Sequence, residues 1–308
     1  MHRIIIDTDP GIDDAMAIFY ALAAPEIEVL GLTTVFGNVD TGLATTNALR
    51  LLDIAGRAEL PVARGAARPL TGSYRGAADF VHGSNGQGNA ELADPTGRED
   101  TRRATQFMAE MIDAHPGEIT LVTLGPLTNL ALLVLERPEL AAQVRQVVAM
   151  GGNLTVPGNA SPAGEANIVN DPEAADAVLS APWPVVMCGL DVTHRITMTP
   201  QDLERIYRIP SPQGRHLAAI VPFYHAFYRS QVGSEGIYVH DSTTISYLRH
   251  ADHFETRKVP VAVDTGASVG RGKTWPCHDA QRPAATVCTG VDARFLVEQE
   301  ISTLAEAL

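Results

Sequence analysis

The sequence predicts an α/β protein in which helices flank one open, mostly parallel, doubly wound sheet. Over roughly the first 190 residues, short apolar strand candidates alternate with helix candidates, the rhythm of β-α-β units. These strands are apolar at nearly every position, as expected when helices cover both faces of a sheet. No Pro/Ser-rich linker, internal repeat or low-complexity tract interrupts the chain, so we expect a single domain over residues 1–308.

Six strand candidates alternate with five helix candidates in this first part of the chain. The strands are predicted at 4–7, 29–34, 60–63, 119–124, 144–150 and 184–188, where Val, Ile and Leu dominate. The helices are predicted at 13–24, 41–56, 102–115, 127–135 and 172–180. Asp171 supports the start of the last helix, because a capping carboxylate followed by proline is typical of a helix N-terminus.

The remaining elements depart from this alternation. Residues 64–99 form a long stretch rich in Gly, Asn and Asp, which predicts a functional lid or a mobile linker. After residue 192 the chain becomes more helical, with candidates at 203–209 and 217–232 and a further helical run from about residue 239. A β-rich stretch at 259–288 follows, and a helix is predicted over 292–308.

Composition narrows the class of partner. The formal net charge of −13 disfavours a nucleic-acid partner, which needs a basic surface. No apolar run approaches the roughly 20 residues that cross a bilayer, so we expect no membrane partner. Three scattered cysteines, Cys188, Cys277 and Cys288, argue against a disulfide framework or a thiolate zinc site. The sequence passes directly from Met1 into a strand, so we expect no signal peptide and a cytoplasmic protein.

Four carboxylates lie within eight residues directly after the first strand candidate. They are Asp7, Asp9, Asp13 and Asp14, at the point where a strand hands over to a helix. Like charges this close raise each other's pKa unless a positive charge lies among them. The carboxyl edge of a parallel sheet is where α/β proteins bind ligands. A hard, oxygen-preferring cation such as Ca²⁺ or Mg²⁺ is therefore expected there.

Three other interpretations of this acidic turn are weaker. An EF-hand loop counted from Asp7 needs a glutamate at its twelfth position, where the chain has Ile18. An aspartate-nucleophile phosphatase usually also needs a lysine, and Lys258 and Lys273 both lie far along the chain. The helix macrodipole favours one or two acids at a helix start by about 0.3–1 kcal/mol each, but four exceed that role.

Polar or small residues also follow the other predicted strands, at 35–38, 124–129, 150–153 and 189–191. Because the carboxyl ends of parallel strands meet at one edge, these segments are expected to line one crevice. Asn159, Glu165 and Asn167 could grip the hydroxyl groups of a sugar, although the two amides could instead bond turn backbone. His240, beside Asp241, suits acid–base chemistry near neutral pH.

Together these residues resemble the inosine–uridine-type nucleoside hydrolase family. Its Asp-x-Asp-Pro-Gly-x-Asp-Asp motif is present at 7–14, and the companion segments match in order and spacing over residues 3–242. The resemblance implies a single open α/β domain that binds Ca²⁺ and hydrolyses the N-glycosidic bond of ribonucleosides to ribose and free base. It also implies a homodimer or homotetramer and a place in nucleoside catabolism or salvage.

The resemblance assigns a role to each matching residue. Calcium would be held by the carboxylates of Asp9, Asp14 and Asp241 and by the main-chain carbonyl of Leu124. The ribose 2′- and 3′-hydroxyls would meet Asp13, Asn38, Asn167 and Asp241, the 5′-hydroxyl would meet Asn159 and Glu165, and the base would lie near His82 and His240.

The reaction type suits these side chains. Cleavage of the C1′–N bond creates oxocarbenium character on the ribose, which nearby carboxylates stabilise. We expect Asp9 to act as the base for a water that calcium positions. His240 could protonate a departing purine, whereas a pyrimidine could depend on Tyr228 or a water relay.

Two positions depart from the family pattern and leave the base preference open. Position 166 is Ala, where many relatives have an aromatic residue, and Gln87 stands where the loop is often apolar. An aspartate-nucleophile phosphatase and a non-catalytic nucleoside-binding protein remain the alternative hypotheses. Release of ribose, dependent on a cation, would separate the hydrolase from both.

Overall fold

The computed structural model describes residues 1–279 and 281–306. Its centre is a nine-stranded sheet with the order β10-β9-β11-β6-β5-β4-β1-β2-β3. The strands are β1 (His2–Thr8), β2 (Ile27–Thr34), β3 (Val62–Arg64), β4 (Ile119–Thr123), β5 (Gln146–Met150), β6 (Val185–Cys188), β9 (Phe254–Val263), β10 (Thr274–Pro276) and β11 (Ala284–Val291). A separate two-stranded ribbon pairs β7 (Thr197–Met198) with β8 (Ile237–Tyr238).

Helices cover both faces of this sheet. They are α1 (Ile12–Ala23), α2 (Thr41–Ile54), α3 (Asp79–His82), α4 (Ala104–Ala114), α5 (Thr128–Glu136), α6 (Ala166–Asn170), α7 (Pro172–Ser180), α8 (Leu190–Thr193), α9 (Pro200–Tyr207), α10 (Pro212–Phe227), α11 (Ser242–Arg249) and α12 (Ala293–Glu306). Short 3₁₀ turns lie at Pro138–Gln143 and Ala251–His253, and a π-helical turn at Tyr228–Val232 continues α10.

The sheet is mostly parallel, as the sequence predicts. The strands from β3 to β11 in the spatial order are joined by parallel pairings, and only β9 and β10 add antiparallel pairings at one edge. The chain winds outward from β1 through β2 to β3, and then returns to β4 on the other side of β1. The order therefore reverses between β1 and β4, and ligands bind at such a switch point in open α/β sheets.

Two hydrophobic clusters explain the continuously apolar strands. Ile4 and Ile6 of β1 pack into a cluster with α1, α10, α11 and α12, whereas Ile5 packs into a second cluster with α4, α5 and α7. Successive side chains of a strand point to opposite faces. Because helices cover both faces of the sheet, side chains that point to either face are buried, and the centre of β1 is apolar at every position.

The predicted elements of the first 190 residues are all present, with ends displaced by up to a few residues. The predicted helices at 203–209 and 217–232 were wrong at their starts, because α9 and α10 begin earlier, at Pro200 and Pro212. Thr199 and Ser211 accept the N–H groups of Asp202 and Gly214 and so fix these starts. The prediction at 217–232 also missed the change to a π-helical turn at Tyr228.

The C-terminal part also follows the prediction in outline. The β-rich stretch resolves into β9, β10 and β11, which extends past the predicted end to Val291. The last helix is present as α12, and the final two residues of its predicted span lie outside the described residues. In the part of the chain that the structure describes, no helix combines the length and apolar character needed to span a membrane.

Candidate functional site

The acidic turn joins the end of β1 to the start of α1. Gly11 lies at the N-terminal cap of α1, and its N–H donates to Asp14 Oδ2 at 2.9 Å. A side chain at Gly11 would place Cβ 2.7 Å from His82 Nδ1 and 2.9 Å from Asn38 Nδ2. Glycine is therefore required here by close packing, and the turn is locked against two other predicted site residues.

Three carboxylates converge at this turn. Oxygen atoms of Asp13, Asp14 and Asp241 all lie within 4.8 Å of one another. Asp241 directly precedes α11, and the packing of α11 against α1 brings it to the turn. Burial, followed by the charges of the neighbouring carboxylates, raises the pKa of Asp241 well above its usual value. The structure thus brings Asp241 next to Asp13 and Asp14, which lie far from it in the sequence.

Asn38 connects the remaining acid to this group. Its main-chain N–H donates to Asp9 Oδ2 at 2.6 Å, and its Nδ2 donates to Asp14 Oδ2 at 3.0 Å. Asp14 Oδ1 in turn accepts the Thr8 hydroxyl at 2.5 Å. Burial and the charge of Asp14 raise the pKa of Asp9 well above its usual value. Both oxygens of Asp14 are therefore fixed in place, whereas Asp9 is held through one oxygen.

The donor set fits a hard divalent cation. Asp9 Oδ1 and Asp13 Oδ1 are buried and have no hydrogen-bond partner among residues 1–279 and 281–306. A buried, unpartnered carboxylate oxygen is costly unless a positive charge compensates it. The carbonyl of Leu124 accepts Asn167 Nδ2 at 2.6 Å, which leaves its second lone pair for another partner. Carboxylate and carbonyl oxygens are the ligands that Ca²⁺ prefers.

Asp7, which opens the motif, lies outside the cluster of Asp13, Asp14 and Asp241, although its Oδ2 is also buried without a partner among the described residues. Its Oδ1 accepts the Thr33 hydroxyl at 2.6 Å and Asn129 Nδ2 at 2.7 Å. Burial raises the pKa of Asp7 to about 7. These bonds join the ends of β1 and β2 to the start of α5, so Asp7 braces the strand ends beneath the turn.

Glu165 and Asn167 lie at the start of α6, beside the end of β5. Glu165 caps the helix, with Oε1 accepting the Asn167 N–H at 2.8 Å and Oε2 accepting the Gly152 N–H at 3.0 Å. Asn167 Nδ2 also lies 3.2 Å from the carbonyl oxygen of Met150. Asn159 is exposed, and its Oδ1 accepts the Ala166 N–H at 2.9 Å. The amide oxygen of Asn159 thus accepts a backbone N–H of the turn, which is the alternative to a sugar contact that the sequence left open.

A chain of hydrogen bonds leads from the acidic turn to His240. Tyr224 donates its hydroxyl to Asp13 Oδ2 at 3.0 Å, and the hydroxyls of Tyr224 and Tyr228 are 3.3 Å apart. Tyr228 OH lies 2.9 Å from His240 Nε2, and His240 Nδ1 lies 2.8 Å from Thr193 Oγ1. One proton orientation satisfies every contact, with each donor pointing towards Asp13. The arrangement can therefore shift protons along a preformed path.

Both predicted histidines are buried, and burial controls their charge. It lowers the pKa of His82 to about 4 and that of His240 to about 3, so both are neutral at pH 7. His82 Nδ1 accepts the N–H of Ile12 at 3.2 Å, which fixes its proton on Nε2. The ring of His82 stacks on Tyr224 with centroids 5.5 Å apart.

Sequence reasoning missed Tyr224 and Thr193. Tyr224 precedes Tyr228 by one helical turn, and this spacing was the available signal that both share a face. Gln87, which departs from the family pattern, donates its Nε2 to the carbonyl of Gly11 at 2.8 Å, and its Oε1 lies 2.9 Å from His216 Nε2. Gln87 therefore stabilises the acidic turn through the main chain of Gly11.

The chain matches one protein family over nearly its whole length. The profile of the family described as inosine-uridine preferring nucleoside hydrolase matches residues 4–298. A protein of Arabidopsis thaliana named probable uridine nucleosidase 2 is 41% identical over 316 aligned positions, which cover 99% of this chain and 98% of the relative.

Solved structures show the same architecture. A plant nucleoside hydrolase superposes with a TM-score of 0.96 at 37% identity and 99% coverage of both chains. A purine-preferring ribonucleoside hydrolase from Gardnerella vaginalis superposes with a TM-score of 0.95 at 29% identity, covering 99% of this chain and 98% of that one. The predicted fold class is confirmed by these likenesses.

Proposed function

The chain belongs to the inosine-uridine preferring nucleoside hydrolase family, and we propose that its ribonucleoside hydrolysis depends on calcium held by the buried acidic turn. It is an N-glycosyl hydrolase that cleaves a ribonucleoside into ribose and free base. The observation that carries the proposal is the convergence of Asp13, Asp14 and Asp241 within 4.8 Å.

We assign the cation to the carboxylates of Asp9, Asp14 and Asp241 and to the carbonyl of Leu124. Asp13 belongs to the same cluster, and its charge adds to the attraction for the ion. When bound, the ion supplies positive charge that compensates the acids and orients a water towards C1′ of the ribose. The unpartnered Oδ1 of Asp9 and the free lone pair of Leu124 support this ligand set.

Asp9 is our choice for the general base. The Asn38 N–H holds its Oδ2, so the carboxylate cannot rotate freely. Oδ1 would hold the cation, and the second lone pair of Oδ2 would take the proton of the water. Burial raises the pKa of Asp9 when no cation is bound, and a bound cation would oppose this rise by favouring the charged carboxylate. Calcium is a weak Lewis acid, and a protein base is therefore needed to deprotonate the water.

The ribose would be held from two sides. Asp13, Asn38, Asn167 and Asp241 are proposed to meet the 2′- and 3′-hydroxyls, and Asn159 and Glu165 the 5′-hydroxyl. These groups surround the sugar with carboxylate and amide oxygens, which favour the positive charge that develops on the ring as the C1′–N bond breaks. Hydrogen bonds to the sugar hydroxyls that strengthen in the transition state add to the rate.

The departing base needs a proton, and we propose that the chain from His240 through Tyr228 to Tyr224 delivers it, because the donors point in that order. At neutral pH the buried imidazole of His240 is uncharged. It would therefore release its Nε2 proton to Tyr228 only as Nδ1 gains one from the Thr193 hydroxyl, which solvent would reprotonate. His82, stacked on Tyr224, is proposed to contact the base from the opposite wall. This arrangement suits protonation of a ring nitrogen or carbonyl of the base.

We propose a preference for pyrimidine ribonucleosides, with uridine as the first substrate to test. The Arabidopsis relative, at 41% identity, is named a uridine nucleosidase, whereas the purine-preferring structure is only 29% identical.

We further propose a cytoplasmic homodimer or homotetramer. Cys188, Cys277 and Cys288 are all free, which suits a reducing compartment. Light scattering of the purified protein would measure the subunit count, and a mass equal to one chain would exclude both assemblies.

Ribose release tests the main proposal. The protein is dialysed against chelator and assayed on uridine, cytidine, inosine and adenosine, before and after addition of Ca²⁺. We expect turnover that chelator abolishes and Ca²⁺ restores, with uridine the best substrate. Full activity in chelator would exclude a catalytic cation, and phosphate release from a phosphomonoester without ribose release would favour the phosphatase instead.

A further inference from the structure

Asp191, in the one-turn helix α8, is buried beside the segment that follows β5. Its Oδ2 accepts the N–H of Leu154 at 2.6 Å, and its Oδ1 accepts the N–H of Thr155 at 2.8 Å and also the Thr155 hydroxyl. The side chain is only 5% exposed. Both carboxylate oxygens of Asp191 are therefore bonded to one short segment, residues 154–155.

The same piece of backbone is fixed by the start of β10. The Thr274 hydroxyl accepts the N–H of Asn153 at 2.9 Å and lies 2.8 Å from its carbonyl oxygen. Lys273 Nζ donates to the carbonyls of Asn153 at 2.9 Å and Val156 at 3.3 Å. Asp191 thus supplies the acceptors for this backbone and Lys273 supplies a charged donor. The carboxylate and the ammonium hold complementary groups of residues 153–156.

Residues 153–156 begin the loop that ends at the proposed 5′-hydroxyl contacts. Asn153 Nδ2 donates to the carbonyl of Ala163 at 2.9 Å, which closes the loop across its base. Glu165 then accepts the Gly152 N–H, so the two ends of the loop are joined at the carboxyl end of β5. Asn159 bonds the start of α6 from within this loop. A shift at 153–156 would therefore move Asn159 and Glu165 together.

We propose that Asp191 is a positioning residue that sets the placement of Asn159 and Glu165 against the ribose 5′-hydroxyl. This inference rests on the proposed function of that subsite. Asp191 acts through Leu154 and Thr155 and does not touch the substrate. Because a charged acceptor receives two N–H groups and one hydroxyl, its bonds are among the stronger kinds in a protein.

The test compares uridine with 5′-deoxyuridine, which lacks only the group that the loop is proposed to hold. In Asp191→Asn, an NH₂ group replaces one acceptor and faces a backbone N–H. We expect kcat/KM for uridine to fall about tenfold, while kcat/KM for 5′-deoxyuridine changes less than about twofold. The unmodified enzyme should prefer uridine, and the variant should lose most of this preference.

Two further variants make the result decisive. Asp202→Asn is the control, because Asp202 is also buried and accepts the N–H and the hydroxyl of Thr199. Asp202 additionally pairs with Arg294, so this control removes at least as strong a set of bonds in another part of the fold. It should leave the preference for uridine unchanged. Thr155→Val removes only one bond to Asp191 at an exposed position, and it should reduce the preference in the same direction but by less.

The outcomes separate this inference from the proposed function. Equal losses on both substrates in Asp191→Asn and Thr155→Val, or no loss on either, would overturn the positioning role. Equal turnover of uridine and 5′-deoxyuridine by the unmodified enzyme would also overturn it. Failure of the unmodified enzyme to release ribose from any ribonucleoside would instead remove the proposed function.

Discussion

At the scale of single residues, hydrogen bonds decide which acid of the turn can do chemistry. Asp14 is bonded at both oxygens by Thr8, Gly11 and Asn38, which suits a fixed metal ligand. Asp9 has the same burial but keeps Oδ1 without a partner among the described atoms. Asp9 and Asp14 of the same motif can therefore take different roles, because their hydrogen-bond partners differ.

Asp9→Asn should lower kcat for uridine by about a thousandfold or more, because general-base catalysis and one cation contact are lost together. The asparagine keeps the shape of the side chain and can still accept the Asn38 N–H, so the turn should stay folded. Ribose release measures the rate, and calorimetric titration with Ca²⁺ measures the cation affinity. A variant that keeps more than a tenth of the wild-type kcat would exclude Asp9 as the base.

His240→Ala should harm purine cleavage more than pyrimidine cleavage, because a purine leaves most easily after protonation of a ring nitrogen. The comparison is kcat/KM on inosine and uridine. Tyr228→Phe, which removes only the hydroxyl 2.9 Å from His240 Nε2, should give the same pattern if the two act in one relay. Equal losses on both nucleosides would remove His240 from the acid role.

The sequence identified residues whose type is demanded by chemistry, and it missed those whose importance comes from tertiary packing. The acids of the turn, Asn38 and Asp241 could all be proposed from the motif and its companions. The residue types alone could not separate Asp7 from the other acids, because its partners Thr33 and Asn129 come from other elements. The role of Asp191 depends on a loop that reaches it only in the folded chain.

At the scale of elements, long and apolar segments were predicted well and one-turn helices were missed. The helices α3, α6 and α8 contain four or five residues each, too few to establish a helical period. These same elements carry His82, Asn167 and Thr193. Local signals could therefore place the sheet and the main helices, but they could not show how the short helices frame the site.

The contact between α11 and α12 should make stability depend on pH. Glu300 of α12 is buried and accepts the Ser242 hydroxyl at 2.7 Å, and burial raises the pKa of Glu300 from 4.5 to about 7. Below pH 4.5 the carboxyl is neutral in both the folded and the unfolded state. Between these values only the unfolded chain loses its proton, so stability falls as the pH rises, by up to about 3 kcal/mol.

Glu300→Gln should remove this dependence, because the amide cannot ionise and can still accept the Ser242 hydroxyl. We expect Tm to rise by several degrees at pH 8 and to change little near pH 4.5. Thermal unfolding followed by circular dichroism across this range measures the effect. An equal change of Tm at both pH values would show that the substitution acts through packing and not through the proton.

At the scale of the whole molecule, topology is what assembles the site. The switch point between β1 and β4 places the acidic turn beside Leu124, and the later helices bring His240 and Asp241 to it. Burial then raises the pKa of Asp9, Asp13, Asp14 and Asp241 together. The fold concentrates negative charge at one point, so a bound cation should stabilise the protein as a whole.

Ca²⁺ should therefore raise Tm relative to chelator, and the rise should be larger at pH 8 than at pH 5.5. Because the carboxyl pKa values are raised, these groups lose their protons only as the pH increases, and the ion binds their charged forms. A ligand at 100 times its Kd stabilises by about 2.7 kcal/mol. Asp241→Asn should lose most of the calcium effect, whereas Asp202→Asn should keep it. A rise in Tm that survives in Asp241→Asn would mean that calcium binds elsewhere on this acidic protein.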